Sequence, residues 1–307
     1  MIAILFPGQG SQKPGMGLSL YEAFPEAKAT LDSLALALDG DLKRLLFETD
    51  EETLRQTQNA QLALFTVGQM VWSVLQSKLT GPFVFAGHSV GEYAALSAAG
   101  VYSVEEGARL VQTRGRLMAE AGLKAPGTMG AVLGLERALL DEACAEAEGI
   151  VVVANDNCPG QLVISGEVEA VGKAGELAKA KGAKRVIPLN VSGAFHSPLM
   201  NEAARQMAEA LAGADLGSAS GTIYANVTAA PVEDVALWPG LLEQQLKSPV
   251  RWTETIQNMR AAGIDTFIEC GPGNVLQGLL RKIDGEAKGL GAGEAGDLEK
   301  TLAETAP

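Results

Sequence analysis

Cysteine and histidine are scarce in this chain of 307 residues, which has three of the first and two of the second. The cysteines, Cys144, Cys158 and Cys270, are widely spaced and form no C-x-x-C pair. A disulfide framework and a zinc site both require a closer grouping, so we expect neither of them and no metal. Free thiols suit a reducing compartment, and we predict that the protein is cytoplasmic.

The chain also lacks long hydrophobic runs, and its 24 lysines and arginines are fewer than its 37 acidic residues. No apolar stretch approaches the roughly 20 residues of a membrane span, and the opening MIAILFPGQG lacks the charged start and the apolar length of a signal peptide. The formal net charge is −13, which disfavours nucleic acid and anionic membrane surfaces as partners. An acidic partner would have to bind at a local basic patch.

The composition favours a close-packed α/β enzyme, since 47% of the residues are hydrophobic and 36 are glycines. Short apolar strands alternate with helices over residues 1–123 and 190–284, which predicts one large domain with a parallel-sheet core. Residues 124–189 follow the order β-α-β-β-α-β of a ferredoxin-like unit, so we predict a small domain inserted into the large one. Residues 285–307 show no apolar periodicity and are predicted to form a flexible tail.

A serine between two glycines marks the centre of the predicted large domain. The apolar strand 83–86 meets Gly87-His88-Ser89-Val90-Gly91, and an Ala-rich helix begins at Glu92. This G-x-S-x-G turn is typical of the nucleophile elbow of α/β-hydrolase-like domains, where the helix N-terminus favours a developing oxyanion. The pattern also occurs by chance as a glycine-rich connection, but the flanking strand and helix favour a nucleophilic serine.

A nucleophilic serine needs a base, which is usually histidine. His88 adjoins Ser89 within the elbow, so the two side chains should diverge. By elimination His196, in a loop before a helix, is the predicted base. The sequence offers no acid for a third position.

Arg114 is the anomalous residue of the helix predicted over 104–121. It falls within the apolar stripe formed by Leu110, Val111, Leu117 and Met118. A guanidinium that faces a core needs a fixed anion. Periodicity alone favours a structural ion pair, with an anionic substrate as the alternative.

Five motifs together resemble one known family. They are Phe6-Pro7-Gly8-Gln9-Gly10-Ser11-Gln12, Gly87-His88-Ser89-Val90-Gly91-Glu92, Gln112-Thr113-Arg114-Gly115, Gly193-Ala194-Phe195-His196-Ser197 and Gly271-Pro272-Gly273. In this order, over residues 1 to about 283, they resemble the malonyl-CoA:acyl carrier protein transacylases of type II fatty-acid synthesis. The resemblance implies ping-pong transfer of a malonyl group from coenzyme A, through a serine ester, to the phosphopantetheine thiol of acyl carrier protein.

The resemblance also implies roles for individual residues. Ser89 would be the nucleophile and His196 the general base and acid. The backbone N–H groups of Gln9 and Val90 would form the oxyanion hole. The backbone carbonyl of Gln245 would steady the histidine.

Arg114 corresponds to the arginine that, in this family, binds the free carboxylate of the malonyl group. The anion that Arg114 needs would then be the substrate. Phe195 resembles the malonyl-selecting form of its motif. Malonyl-CoA and acyl carrier protein are the implied partners, and no cofactor is expected beyond the coenzyme A thioester, which is a substrate. A serine thioesterase or hydrolase, and a carrier-binding scaffold without catalysis, are the alternatives, and the presence of Ser89, His196 and Arg114 argues against both.

Carrier proteins of this type are acidic, so a chain of charge −13 should repel them except at a basic patch. The densest basic cluster contains Lys179, Lys181, Lys184 and Arg185, and we predict docking at Lys184 and Arg185. The alternative is a solvated helix end. Arg281 and Lys282 form a second, smaller cluster.

Overall fold

The computed structural model describes residues 1–305, which form two sheets with helices around them. The strands are β1 (Ile2–Phe6), β2 (Phe83–Gly87), β3 (Thr128–Leu133), β4 (Val151–Cys158), β5 (Gln161–Gly166), β6 (Arg185–Pro188), β7 (Thr222–Tyr224), β8 (Pro231–Val232), β9 (Val250–Arg251), β10 (Thr266–Glu269) and β11 (Lys288–Gly291). The helices are α1 (Leu18–Ala23), α2 (Pro25–Ala37), α3 (Leu42–Phe47), α4 (Glu51–Arg55), α5 (Thr57–Lys78), α6 (Gly91–Ala98), α7 (Val104–Lys124), α8 (Arg137–Glu146), α9 (Val168–Ala180), α10 (Asn201–Ala212), α11 (Trp238–Gln245), α12 (Trp252–Ala261), α13 (Val275–Ile283) and α14 (Ala295–Thr305). Short 3₁₀ turns lie at Pro198–Met200 and Val235–Leu237.

The large sheet has the order β11-β10-β1-β2-β7-β8 and is parallel except for its last pair. Side chains alternate across it, so that Ile4 and Phe6 of β1 enter one core and Ala3 and Leu5 enter another. Both faces are therefore covered by helices, as a parallel sheet requires. This confirms the prediction of an α/β fold with a parallel-sheet core.

The small sheet has the order β6-β3-β5-β4-β9, and its first four strands pair antiparallel. One face packs against α8 and α9, which cover Val132 and Ile164. The other face carries Met129 and Val163, which join the core of the large domain. The small sheet therefore presents alternate residues of β3 and β5 toward the rest of the molecule.

The prediction of a flexible tail over 285–307 is wrong for its described part. Residues 288–291 form β11, which pairs parallel with β10, and α14 buries Leu298 and Thr301. The tail carries few apolar residues, but Leu290, Ala292 and Leu298 lie in the large-domain core. Residues 306 and 307 lie outside the described part of the chain.

The predicted boundary of the small domain also needs correction. Residues 250–251, assigned by sequence to the large domain, form β9, which pairs parallel with β4 of the small sheet through Asn155↔Val250 and Asp156↔Arg251. A two-residue strand leaves no periodic pattern, and its partner is about a hundred residues away in sequence. The chain therefore re-enters the small sheet after leaving it at residue 189.

Candidate active site

Ser89 stands at the carboxyl end of β2, where the chain turns sharply into α6. Its φ is 53°, in the left-handed region, and the side chain is half-buried. A Cβ atom at Gly87 would lie 1.9 Å from the Gly91 carbonyl carbon, and one at Gly91 would lie 2.1 Å from the Phe6 carbonyl oxygen. Both glycines of the motif are thus required by close backbone approach, as the pattern predicted.

Asn226, two residues beyond the end of β7, holds the elbow from the neighbouring strand. Its side-chain oxygen accepts a hydrogen bond from the Ser89 backbone N–H at 2.8 Å. Its side-chain nitrogen donates to the Gly87 carbonyl at 2.7 Å. These two bonds fix the backbone on both sides of His88. No sequence pattern singled out this asparagine.

The two predicted catalytic side chains meet directly. The Ser89 Oγ and the His196 Nε2 are 2.8 Å apart, and the other ring nitrogen of His196 donates to the Gln245 carbonyl oxygen at 2.8 Å. That second bond places the proton on Nδ1 and leaves Nε2 free to accept from the serine. Burial, assisted by the nearby Arg114 charge, lowers the His196 pKa to about 3, so the imidazole is neutral and able to act as a base.

Arg114 is fully buried and points toward the nucleophile. Its Nη2 donates to the Ser89 Oγ at 3.1 Å and to the Gln245 side-chain oxygen at 2.8 Å, while Nη1 donates to the Gln61 side-chain oxygen at 2.5 Å. Within residues 1–305 no carboxylate lies at salt-bridge distance from it, so a structural ion pair does not explain this arginine. Burial lowers its pKa, but the guanidinium stays charged because its reference value is so high.

A cavity of about 400 Å³ opens above these groups. Ser89, His196 and Arg114 line it, together with Gln9 and Val90. In the described part of the chain, the backbone N–H groups of Gln9 and Val90 donate no hydrogen bond, although Val90 is buried. Two unpaired N–H donors beside a nucleophile are a suitable arrangement for an oxyanion.

Two asparagines of the small domain reach the same cavity. Asn155 and Asn157 lie in β4 and line the cavity. The Asn157 side-chain oxygen pairs with His88 Nε2 at 2.8 Å. His88 thus diverges from Ser89, as expected, and links the elbow to the small domain.

The structure adds Glu92 to the residues found from sequence. It lies in the first turn of α6, 1% exposed, and its carboxylate accepts from the Asn226 backbone N–H at 2.6 Å and the Gln245 side-chain nitrogen at 2.5 Å. Burial raises its pKa to about 7. A single carboxylate within an Ala-rich helix was the sequence signal that could have identified it.

The predicted docking residues Lys184 and Arg185 lie at the start of β6, exposed and outside the lining of the cavity. Leu133 of β3 pairs with Arg185 on one side and with Gln161 on the other. Gln161 in turn accepts a hydrogen bond from Lys282 at 3.0 Å. Lys184 and Arg185 therefore lie near Lys282 of the second cluster, around the turn between β4 and β5.

The chain is similar to proteins of one known family. Residues 4–291 match the acyl transferase domain family. A malonyl CoA-acyl carrier protein transacylase of Bacillus subtilis (strain 168) is 44% identical over 304 residues, covering 98% of this chain and 96% of that protein. The chain belongs to the malonyl CoA-acyl carrier protein transacylase family.

Solved structures of similar transacylases share the fold over nearly their whole length. An acyl carrier protein S-malonyltransferase from Vibrio cholerae O1 biovar eltor str. N16961 has a TM-score of 0.94 at 40% identity, covering 98% of this chain and 99% of that one. A malonyl-transacylase in complex with a type II polyketide synthase acyl-carrier protein has a TM-score of 0.95 at 39% identity, covering 99% of each chain. Among residues 1–305, no helix has the length and hydrophobicity needed to cross a membrane.

Proposed function

We propose that the chain transfers the malonyl group of malonyl-CoA to the phosphopantetheine thiol of an acyl carrier protein, through an ester on Ser89. The observation that carries this proposal is the position of Arg114. A fully buried guanidinium, without a carboxylate partner in residues 1–305, donates to the nucleophilic oxygen itself. A negatively charged acyl group is the substrate that such a site favours.

In the first half-reaction, the Ser89 oxygen attacks the thioester carbonyl carbon while His196 Nε2 takes the hydroxyl proton. Negative charge develops on the carbonyl oxygen, where the N–H groups of Gln9 and Val90 are free to donate. The carbon–sulfur bond then breaks, and the imidazolium returns its proton to the coenzyme A sulfur. The product is a malonyl ester of Ser89.

In the second half-reaction, His196 takes the proton of the carrier's thiol, and the sulfur attacks the ester carbonyl. The carbon–oxygen bond breaks, and the Ser89 oxygen recovers the proton. One imidazole serves both halves, and the Gln245 carbonyl holds its orientation throughout. No step requires a cofactor, in keeping with a thioester substrate.

Arg114 would select the acyl group by pairing with the free malonyl carboxylate. The planar guanidinium is held by Gln61 and Gln245, which are neutral acceptors, so its charge is not neutralised by the protein. An acyl group without a carboxylate would leave that charge unpaired in a buried site, which is costly. The same feature disfavours a general thioesterase.

The carrier would dock on a surface formed by Lys184, Arg185, Arg281 and Lys282, which we term the basic face. All four side chains are exposed, and in the described part of the chain none of them forms a salt bridge. Only three residues separate Gln161, beside Lys282, from Asn157 in the cavity. An acidic carrier bound here would lie close to the cavity that its thiol must enter.

We also infer the finer architecture. The elbow on a parallel sheet supports an α/β-hydrolase-like large domain, built from residues 1–123 and 190–284 together with the described tail. The order β6-β3-β5-β4, with α8 and α9 on one face, supports a ferredoxin-like small domain over 124–189. All three cysteines are free and buried, which suits a cytoplasmic location.

The decisive experiment is mass spectrometry of the protein after exposure to malonyl-CoA without carrier. We expect one malonyl adduct, mapped to Ser89 and absent in Ser89→Ala. A hydrolase would show steady release of malonate without an acceptor, and a scaffold would show no adduct.

Arg114→Ala should lower malonyl transfer about 30- to 5,000-fold while sparing acetyl transfer from acetyl-CoA. Equal losses for both acyl groups would contradict the selective role of Arg114.

A further inference from the structure

We propose that Glu92 is a positioning residue that fixes the Gln245 side-chain amide and, through it, aims Arg114 at the acyl carboxylate. The inference rests on the proposed function, because it concerns how the carboxylate-binding arginine is held. Glu92 does not touch the substrate cavity, and it contacts Arg114 only through Gln245.

Gln245 is the centre of the arrangement. Its side-chain nitrogen donates to the Glu92 carboxylate at 2.5 Å and to the Ser89 carbonyl at 2.9 Å. Its side-chain oxygen accepts from Arg114 at 2.8 Å, and its backbone carbonyl accepts from His196. One fully buried residue thus contacts the nucleophile's backbone, the base and the arginine.

The orientation of this amide follows from the chemistry of its neighbours. An ionised carboxylate and a carbonyl can only accept hydrogen bonds, so the amide nitrogen must face Glu92 and Ser89. The amide oxygen is therefore left for Arg114, which can only donate. If the amide were reversed, its NH₂ group would face the guanidinium, and Arg114 would lose one of its two side-chain amide acceptors.

Protonation of Glu92 would reverse this arrangement. One carboxylate oxygen faces the Asn226 backbone N–H, which is a donor, so a proton would reside on the oxygen that faces Gln245. That O–H group would require the amide oxygen as acceptor and would turn the NH₂ group toward Arg114. The charged group near Glu92 is Arg114 from α7. The titratable but neutral neighbours are the Tyr93 hydroxyl and, beyond Gln245, the His196 imidazole. Since burial raises the Glu92 pKa to about 7, the carboxylate is ionised at pH 8 and increasingly protonated at pH 6.

The test compares malonyl and acetyl transfer in Glu92→Gln at pH 8. A glutamine keeps the shape, but its amide oxygen must accept from the Asn226 backbone N–H, so its NH₂ group faces Gln245 and competes with the native orientation of that amide. The ratio of malonyl to acetyl kcat/KM should therefore fall at least about tenfold, the effect of one weakened bond to a charged group. In the native protein the same ratio should decline from pH 8 to pH 6, and in Glu92→Gln it should be flat. Adding Glu92→Gln to Arg114→Ala should leave the already low ratio unchanged.

Glu269→Gln is the matched control. Glu269 is also 1% exposed and accepts two backbone N–H groups, from Leu276 and Gln277 in the first turn of α13, but it lies at the end of β10 and does not line the cavity. Its replacement should leave the malonyl to acetyl ratio unaltered, whatever it does to stability. An unchanged ratio in Glu92→Gln, or equal losses for both acyl groups, would overturn the inference. If Arg114→Ala itself fails to change the ratio, the proposed function fails instead.

Discussion

Ser89 and His196 both have left-handed backbone angles, with φ of 53° and 57°. Such a conformation costs a non-glycine residue roughly 1–3 kcal/mol, so surrounding contacts must hold it in place. At Ser89 those contacts are the bonds from Asn226 and the close packing of Gly87 and Gly91. The strain turns the serine hydroxyl out of the strand and toward the imidazole.

The first prediction concerns Gly91, where a Cβ atom would lie 2.1 Å from a backbone oxygen of β1. Gly91→Ala should lower the free energy of unfolding by at least about 2 kcal/mol, because neither backbone can yield without moving a central strand. Urea denaturation gives the value. Gly172→Ala is the control, since nothing lies within 4 Å of that position on α9, and a stability change within about 1 kcal/mol is expected there. Equal effects at both positions would contradict this account of the elbow.

Single residues differ in how far their roles can be predicted from sequence. Ser89 lies in a local pattern, and Arg114 is conspicuous because a charge interrupts an apolar stripe. Gln61 and Asn226 carry no local signal, because their hydrogen-bond partners are distant in sequence. Arg114 is 53 residues from Gln61, and Ser89 is 137 residues from Asn226. Asn157 carries no such signal either, because the β4–β5 pairing extends beyond the apolar residues of these strands.

Among the elements, those with strong periodicity were predicted correctly. Helix α5 is apolar nearly all round and is buried against the sheet, as its sequence indicates. Helices α1 and α2 are divided at Pro25, because proline begins a helix more readily than it continues one. Elements with few apolar residues, such as β9 and β11, form by pairing with strands elsewhere in the sequence, so no local pattern predicts them.

The described tail contributes to stability through α14. Leu298 of α14 is fully buried, so Leu298→Ala should lower the free energy of unfolding by about 2–4 kcal/mol. Glu299→Ala, its exposed neighbour on the same helix, should change stability by less than about 0.5 kcal/mol. Thermal or urea unfolding measures both. If Leu298→Ala were as harmless as Glu299→Ala, the helix would contribute nothing to the fold.

At the scale of the whole molecule, the buried Glu92 should make stability depend on pH. Its pKa is raised from 4.5 to about 7, so between these values the folded protein keeps a proton that the unfolded chain releases. The stabilisation is complete below pH 4.5 and is lost as the pH rises to about 7. From pH 5 to pH 8 the free energy of unfolding should therefore fall by up to about 3 kcal/mol more in the native protein than in Glu92→Gln. Parallel pH profiles, measured by urea unfolding, would contradict the raised pKa.

The basic face should attract an acidic carrier protein. In a chain of net charge −13, an exposed set of unpaired cations should steer an acidic carrier, and salt should weaken the effect. Lys184→Glu with Arg185→Glu should raise the KM for carrier and flatten its salt dependence, while transfer to free pantetheine changes much less. Arg116→Glu with Lys300→Glu alters the net charge equally at exposed positions outside the basic face and should affect the carrier KM much less. Equal losses with carrier and with pantetheine would refute docking at this face.

The short strand β9 limits how the molecule can be divided. Since residues 250–251 complete the small sheet from outside the insert, excising residues 124–189 would leave β9 without its partner β4. Gln245, which steadies the base and the arginine, lies only five residues before this strand. A chimera that takes its small domain from another transacylase should therefore fold and retain its selectivity best when the segment from Gln245 to Arg251 is exchanged with it.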